Sequence, residues 1–296
     1  MIQEDERTEP LKEKLVEFLL DNPKELQEIY EEFKDEKPTT IRGRLNENVG
    51  KVFKRIGRGI YLADNGKSKA LIIEGDCWEK IKEIDDETID TIITDSPYTC
   101  LDQYYKVGST RQRNLNKSIG FKTKDIDTTL LKEMLRVLKP NGHFFSFMPA
   151  SNKDTYEYNK RFIEMSQETG FTFNKIWIWD KQVIGMGYNG RNKYEQIVFL
   201  SKGDRRKPYD LSIADLLSHK RIASSHRIHE AEKPVELIKD IMKFSCKEND
   251  TVLDTFAGSL VVAQAGMDLN INTISFEIEE EIIKRAITIK FGGIEE

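Results

Sequence analysis

Thr251-Val252-Leu253-Asp254-Thr255-Phe256-Ala257-Gly258-Ser259 is the stretch that decides the fold. Thr251 to Asp254 is a short apolar strand closed by a carboxylate, and Phe256 to Ser259 is a tight turn into the apolar run Leu260-Val261-Val262-Ala263-Gln264-Ala265. Glycine at 258 lets the backbone come close to a ligand, and the amides that open the next helix can bind an anionic group such as a carboxylate. About twenty residues on, the strand Thr273-Ile274-Ser275-Phe276 ends at Glu277, where an acid meets ribose hydroxyls. Strand, glycine turn, helix, strand and acid in register point to a doubly wound α/β sheet that holds a nucleoside cofactor.

A second strand end carries the chemistry. In Ile92-Ile93-Thr94-Asp95-Ser96-Pro97-Tyr98, β-branched residues lead to a carboxylate, and Pro97 stops the strand. Asp95 and Tyr98 are thereby delivered to the sheet's carboxyl edge, where open α/β sheets keep their ligands. An exocyclic amine on a nucleobase is a poor nucleophile because its lone pair is delocalised into the ring. The Asp95 carboxylate and the Ser96 carbonyl can hold its two N–H bonds and turn the lone pair out of the plane, while Tyr98 stacks on the base. An Asp-Ser-Pro turn that merely closes a strand has the same residues, so the assignment needs an electrophile elsewhere in the chain.

In order along residues 70 to 290, the chain carries Gly75-Asp76-Cys77, Asp95-Ser96-Pro97-Tyr98, Leu138-Lys139-Pro140-Asn141-Gly142, Trp179-Asp180-Lys181, Tyr194-Glu195, His229 with Lys233-Pro234, and Asp254 through Ser259. This series resembles the beta-class, permuted amino-methylating DNA methyltransferases, whose catalytic motif precedes the cofactor motif. The resemblance implies S-adenosylmethionine as methyl donor and double-stranded DNA as acceptor, with adenine N6 favoured because an acid heads the motif, and cytosine N4 as the alternative. It implies catalytic roles for Asp95, Ser96, Pro97 and Tyr98. Cofactor contacts fall to Asp76, which lies near the adenine, and to Lys233, Asp254, Phe256, Ala257, Gly258, Ser259 and Glu277. Two residues depart from the pattern. Ser96 replaces the first of two prolines, and Leu260 stands where the family usually has glycine, at the helix start where it would narrow the methionine end of the pocket.

The 296 residues, 38% hydrophobic, suffice for one good core and a small accessory one. No apolar run approaches the ~20 residues of a membrane span, and Met1 to Pro10 is charged, so neither a membrane partner nor a signal peptide is expected. Cys77, Cys100 and Cys246 have no metal spacing and suit a reducing cytoplasm, and His219, His226 and His229 lack a matching ligand set, so no metal is expected. Cys100, close to Tyr98, raises a cysteine-nucleophile reading, which its position after the aromatic disfavours. A net charge of −5 confines DNA contact to local basic patches.

One such patch lies in residues 8–63. Three helical patterns from Thr8 to about Val49, then Val52 to Arg55 and Ile60 to Leu62 around Gly57-Arg58-Gly59, read as a winged helix. Lys37, Arg42, Arg44, Lys51, Lys54, Arg55 and Arg58 face Glu47 alone. Arg42 and Arg44 fit the major groove, and Arg55 and Arg58 on the wing fit phosphates. Asp64 to Lys69 reads as a linker into a methyltransferase domain at 70–296.

Within that domain, residues 99–126 form an irregular basic stretch with Arg111, Arg113 and Lys117, read as a loop that grips DNA around an extruded base. Residues 202–228, with Arg205-Arg206-Lys207 and Lys220-Arg221, occupy the place of target recognition in the resemblance. His143 reads as structural, at least one of Trp177 and Trp179 as core, and Asp180 and Lys181 as a site-wall pair or a surface pair. A homodimer and a companion restriction enzyme are both compatible with the sequence. So are two other classes: a glutamine-methylating enzyme, whose family puts the cofactor motif first, and a DNA-binding module without catalysis.

Overall fold

The structure, a computed structural model, describes residues 53–98, 100, 124–185, 190–223, 227–228 and 231–295. A hairpin of β1 (Phe53–Gly57) and β2 (Ile60–Asp64) leads into β3 (Lys69–Glu74), the short helix α1 (Cys77–Lys80) and β4 (Ile89–Thr94). Next come α2 (Thr128–Val137), β5 (Leu138–Met148), α3 (Tyr156–Thr169), β6 (Phe171–Asp180), β7 (Tyr194–Lys202) and β8 (Leu216–Ser218). The chain then runs through α4 (Val235–Ser245), β9 (Thr251–Asp254), α5 (Val261–Leu269), β10 (Asn272–Glu277), α6 (Glu280–Phe291) and β11 (Ile294–Glu295).

All eleven strands share one sheet, in the order β11-β1-β2-β3-β10-β9-β4-β5-β7-β6-β8. The central five, β3, β10, β9, β4 and β5, are mutually parallel, and β7 enters antiparallel between β5 and β6. From β4 the chain winds outward to β5, and from β9 it winds the other way to β10. The β4–β9 seam is therefore the switch point, where a crevice opens beyond the strands' carboxyl ends. Thr91 pairs with Val252 and Ile92 with Leu253, so Asp95 and Asp254 emerge side by side, as the sequence predicts.

Helices cover both faces because successive strand residues point to opposite sides. Leu71, Ile73, Ile92 and Phe144 pack against Leu130, Leu131 and Met134 of α2 and Phe162 of α3. Ile93, Phe145 and Phe147 face Leu237, Ile238 and Ile241 of α4 and Val261 and Val262 of α5. Trp177 and Trp179 are both core. His143, structural as expected, is fully buried and hydrogen-bonded to Ser245 Oγ at 2.9 Å, and burial and then the Arg206 charge push it down to about 3.

The hairpin forms where Gly57-Arg58-Gly59 predicts it, but its strands extend this sheet. Ile60 to Asp64 of β2 pair with Ile73 to Lys69 of β3, and Tyr61 is fully buried among Ile72, Ala257 and Ile287. The expected linker is a tight turn, with Asn65 Oδ1 accepting from the amides of Lys67 and Ser68 at 2.9 and 2.7 Å. The helices expected before the hairpin, with Arg42 and Arg44, lie outside the described residues, as do Arg111, Arg113 and Lys117 and the side chain of Arg55. Arg58 is exposed at the hairpin tip. Gly59, next to it, accepts from Glu74 N–H at 2.7 Å, which sets the tip at the sheet's carboxyl edge.

Within the basic triplet at 205–207, Arg205 and Lys207 are exposed and Arg206 is turned into the protein. Arg206 reaches under the sheet to the amino end of β4, donating to the carbonyls of Asp90 and Ser245 at 2.9 and 2.5 Å and to Thr91 Oγ1 at 2.7 Å. Only the later part of 202–228 returns to the carboxyl edge, where Arg221 N–H bonds the Lys181 carbonyl at 3.0 Å. Arg206→Ala leaves those buried acceptors unpaired, and urea unfolding followed by circular dichroism should show a loss of about 3 kcal/mol. Arg205→Ala, at an exposed neighbour, should stay within about 0.5 kcal/mol. Equal losses would mean that Arg206 does not anchor the segment.

Candidate active site

Every residue of β4 is buried, so this run of isoleucines and threonines fixes the strand end firmly. Just beyond the pairing, Thr94 Oγ1 and Thr255 Oγ1 meet at 2.9 Å, a buried bond between residues 161 positions apart. It holds the two carboxylate-bearing turns together.

Asp95 has both oxygens engaged. Tyr98 O–H donates to Oδ1 at 2.6 Å and Lys233 Nζ donates to Oδ2 at 2.5 Å. Lys233, only 5% exposed, also pairs with Glu195 Oε2 at 3.2 Å, and its ammonium lies 5.0 Å from the Phe147 ring centre. Glu195 Oε1 in turn meets Lys181 Nζ at 3.3 Å. Burial opposes charge on Lys233, but Asp95 and Glu195 outweigh it and lift the ammonium above its ordinary value. Glu195 is likewise opposed by burial and held below its ordinary value by Lys233 and Lys181. Burial, and then Asp95 and Glu195, push the Tyr98 phenol well up, so it remains a donor. The Tyr98 ring stands edge-on to Tyr158 at 6.4 Å.

The neighbouring turn is acidic and less compensated. Asp254 is 3% exposed and accepts from Phe256 N–H at 3.1 Å; among the described residues no cation pairs with it. Burial, and then Asp95 and Glu277, push it up to about 8 against that amide. Glu277 accepts from Gly258 N–H at 2.7 Å and Glu279 N–H at 3.0 Å, yet burial still raises it. Asp76 caps α1 through Trp78 N–H at 2.9 Å, and the Trp78 ring meets Phe256 edge-on at 5.8 Å. Lys124, expected within the DNA loop, sits 3.8 Å over the Trp78 ring.

The structure thus gathers Asp76, Asp254, Phe256, Gly258 and Glu277 at one edge. Ala257 and Ser259 are buried. The amides of Ala257, Gly258 and Leu260 within the turn are taken up by Phe276 O, Glu277 Oε2 and Ala257 O. Lys233 is bound up with Asp95 and Glu195. Asp180 and Lys181 do not pair with each other: Asp180 takes Lys193 at 3.4 Å. Sequence reasoning quotes Glu195 within the resemblance but gives it no role, and it passes over Trp78. A lone acid in the apolar run Tyr194-Glu195-Gln196-Ile197-Val198 was the available signal for the first.

Residues 89–289 match the family model described as DNA methylase. The chain is 27% identical over 267 residues to the Type II methyltransferase M.BamHI of Bacillus amyloliquefaciens, covering 78% of this chain and 59% of that protein. It is 27% identical over 242 residues to M.HpaI of Haemophilus parainfluenzae, 73% of each. Among solved structures, the cytosine-N4-specific PvuII DNA methyltransferase superposes with a TM-score of 0.58 at 20% identity, over 73% of this chain and 84% of that one. The M1.HpyAVI-SAM complex superposes with a TM-score of 0.53 at 20% identity, over 73% and 97%. With about two thirds of its length under the family model, the chain belongs to the N6/N4 DNA methylase family.

Proposed function

We propose that the protein transfers a methyl group from S-adenosylmethionine to the exocyclic N6 of adenine in double-stranded DNA, after the base leaves the stack. The observation that carries this reading is the seam: Asp95 stands beside Asp254, their turns joined through Thr94 and Thr255. Asp95 and the Ser96 carbonyl accept the amine's hydrogens and Tyr98 packs on the base, so catalysis is positioning plus electrostatics without a covalent enzyme intermediate.

The residues fit the donor. Asp254 is a buried carboxyl with no cation paired to it among the described residues, Glu277 and Asp76 offer acceptors to hydroxyl and amino groups, and Phe256 with Trp78 gives an apolar wall. When bound, S-adenosylmethionine supplies an electrophilic methyl on a sulfonium cation. Arg58 stands at the same edge for a phosphate, and Arg42, Arg44, Arg55, Arg111, Arg113 and Lys117 complete the proposed DNA contacts. Adenine is preferred over cytosine N4 because an acid heads the motif. Incubating protein with labelled donor and DNA, then separating the digested nucleosides, distinguishes the two products; label in a release-factor-type protein instead would point to glutamine.

Asp95→Ala should keep donor binding by calorimetry and lose methyl transfer. Near-normal turnover in that variant would refute the role.

Asp254 gives a second prediction. A carboxyl with a folded value of about 8, above the unfolded value near 4, binds extra protons when folded, so its contribution to stability falls as pH rises between them. Donor-free protein should therefore melt at lower temperature at pH 9 than at pH 5, a drop that Asp254→Asn makes smaller while keeping an acceptor for Phe256 N–H. Equal drops in the two proteins would show that Asp254 does not titrate in this range.

A further inference from the structure

Each Asp95 oxygen already accepts from one donor in the free protein, and an incoming amine that takes over either of those lone pairs displaces Lys233 or Tyr98. Displacing Lys233 would leave a buried ammonium away from one of its two carboxylates and Asp95 without its cation, a costly change in a buried pair. Displacing the Tyr98 hydroxyl breaks one hydrogen bond, which a base N–H restores at once. Lys233 is also held from behind: Glu195 pairs with it, Lys181 fixes Glu195, and the rings of Phe147 and Trp179 lie 5.0 and 5.8 Å from its ammonium. Among the described residues Tyr98 has no comparable brace. Its ring meets Tyr158 edge-on and it is partly exposed.

We propose that Lys233, braced by Glu195, is a positioning residue that fixes Asp95 Oδ2 and reserves Oδ1 for the target amine, with the Tyr98 hydroxyl holding that place until the base arrives. The inference rests on the methyl-transfer reading above. It moves Lys233 from the cofactor to the catalytic carboxylate. It also gives Tyr98 two successive tasks: its hydroxyl covers Asp95 in the free enzyme, and its ring packs on the base once the hydroxyl has let go.

Single-turnover methyl transfer with the full chain, saturating donor and duplex DNA tests the Lys233 half. Lys233→Met should slow the step by roughly 100-fold while donor affinity by calorimetry stays within about threefold. Glu195→Gln, a milder change, should slow it by roughly tenfold and carries the test if Lys233→Met fails to fold. In an Asp95→Asn background, where the acceptor is neutral, Lys233→Met should add less than about threefold, because Lys233 acts through the carboxylate. Tyr98→Phe keeps the ring and, in steady-state turnover with the DNA concentration varied, should lower the KM for DNA by roughly tenfold.

A Lys233→Met variant with unchanged single-turnover rate and weakened donor binding would overturn the assignment and return Lys233 to the cofactor. Full additivity with Asp95→Asn, or an unchanged KM in Tyr98→Phe, would also overturn it. If Asp95→Ala itself methylates DNA normally, the methyl-transfer role of Asp95 is what fails, and that result is separate from any obtained with Lys233.

Discussion

Parallel pairing of β4 with β9 is the contact on which the rest of the molecule depends. Two short strands, each buried along its whole length, meet in the middle of an eleven-stranded sheet with 161 positions of chain between Thr94 and Thr255. Closing so long a loop costs only slightly more entropy than closing a shorter one, because the cost grows with the logarithm of length. Burial of Ile92, Ile93, Val252 and Leu253, at about 1.5–3 kcal/mol for each fully buried side chain, exceeds that cost. Winding outward on both sides of this seam places the crevice at the carboxyl ends of β4 and β9. Asp95 and Asp254 are neighbours for that reason, and the Thr94–Thr255 bond keeps the two turns in register.

Neighbouring carboxylates in so dry a place are unfavourable unless their charge is met, and the protein meets the two differently. Asp95 has Lys233 against one oxygen, inside an alternating row of Lys181, Glu195, Lys233 and Asp95. Asp254 has a backbone amide and is pushed up to about 8. A carboxylate supplied with its own cation is suited to hold a neutral donor such as an amine. One left without a cation beside Glu277 is suited to a positively charged ligand. Separate environments thus give two similar side chains separate tasks.

Much of this was legible in the sequence because it is written in local pattern. The β-branched run before Asp95, the Asp254 to Ser259 turn and the acid at Glu277 each announce an element and its end, and parallel topology then brings the ends together. The hairpin was legible as a hairpin, but not as part of the catalytic sheet. Tyr61 and Leu62 are apolar on opposite faces, a pattern that fits a wing equally well; only the turn at Asn65 and Gly66, taken as a linker, hinted at pairing with β3. The Lys233 cage was not legible, since its members come from β4, β7, the end of β6 and the chain before α4. Nor was Arg206: one arginine of three in a row turns under the sheet, and composition cannot say which.

The two departures from the family pattern are absorbed on the side away from the crevice. Leu260 adopts a left-handed backbone, φ 60°, where glycine would be unstrained, and that conformation costs an L-residue roughly 1–2 kcal/mol. Its side chain is fully buried among Ala257, Ala263, Met267 and Ile283, between the sheet and α6, and burying a leucine contributes roughly 1.5–3 kcal/mol. The gain matches or exceeds the strain, and the side chain does not narrow the pocket as its position in the sequence suggests. Ser96 is 4% exposed, so its side chain is turned into the protein. What the turn needs from this position is a carbonyl, which serine supplies as well as proline does. Pro97 still restricts its own backbone and that of Ser96 before it, and the Tyr158 hydroxyl reaches the Pro97 carbonyl at 3.5 Å. Both substitutions alter how the turns are supported and leave in place the groups that face the cleft.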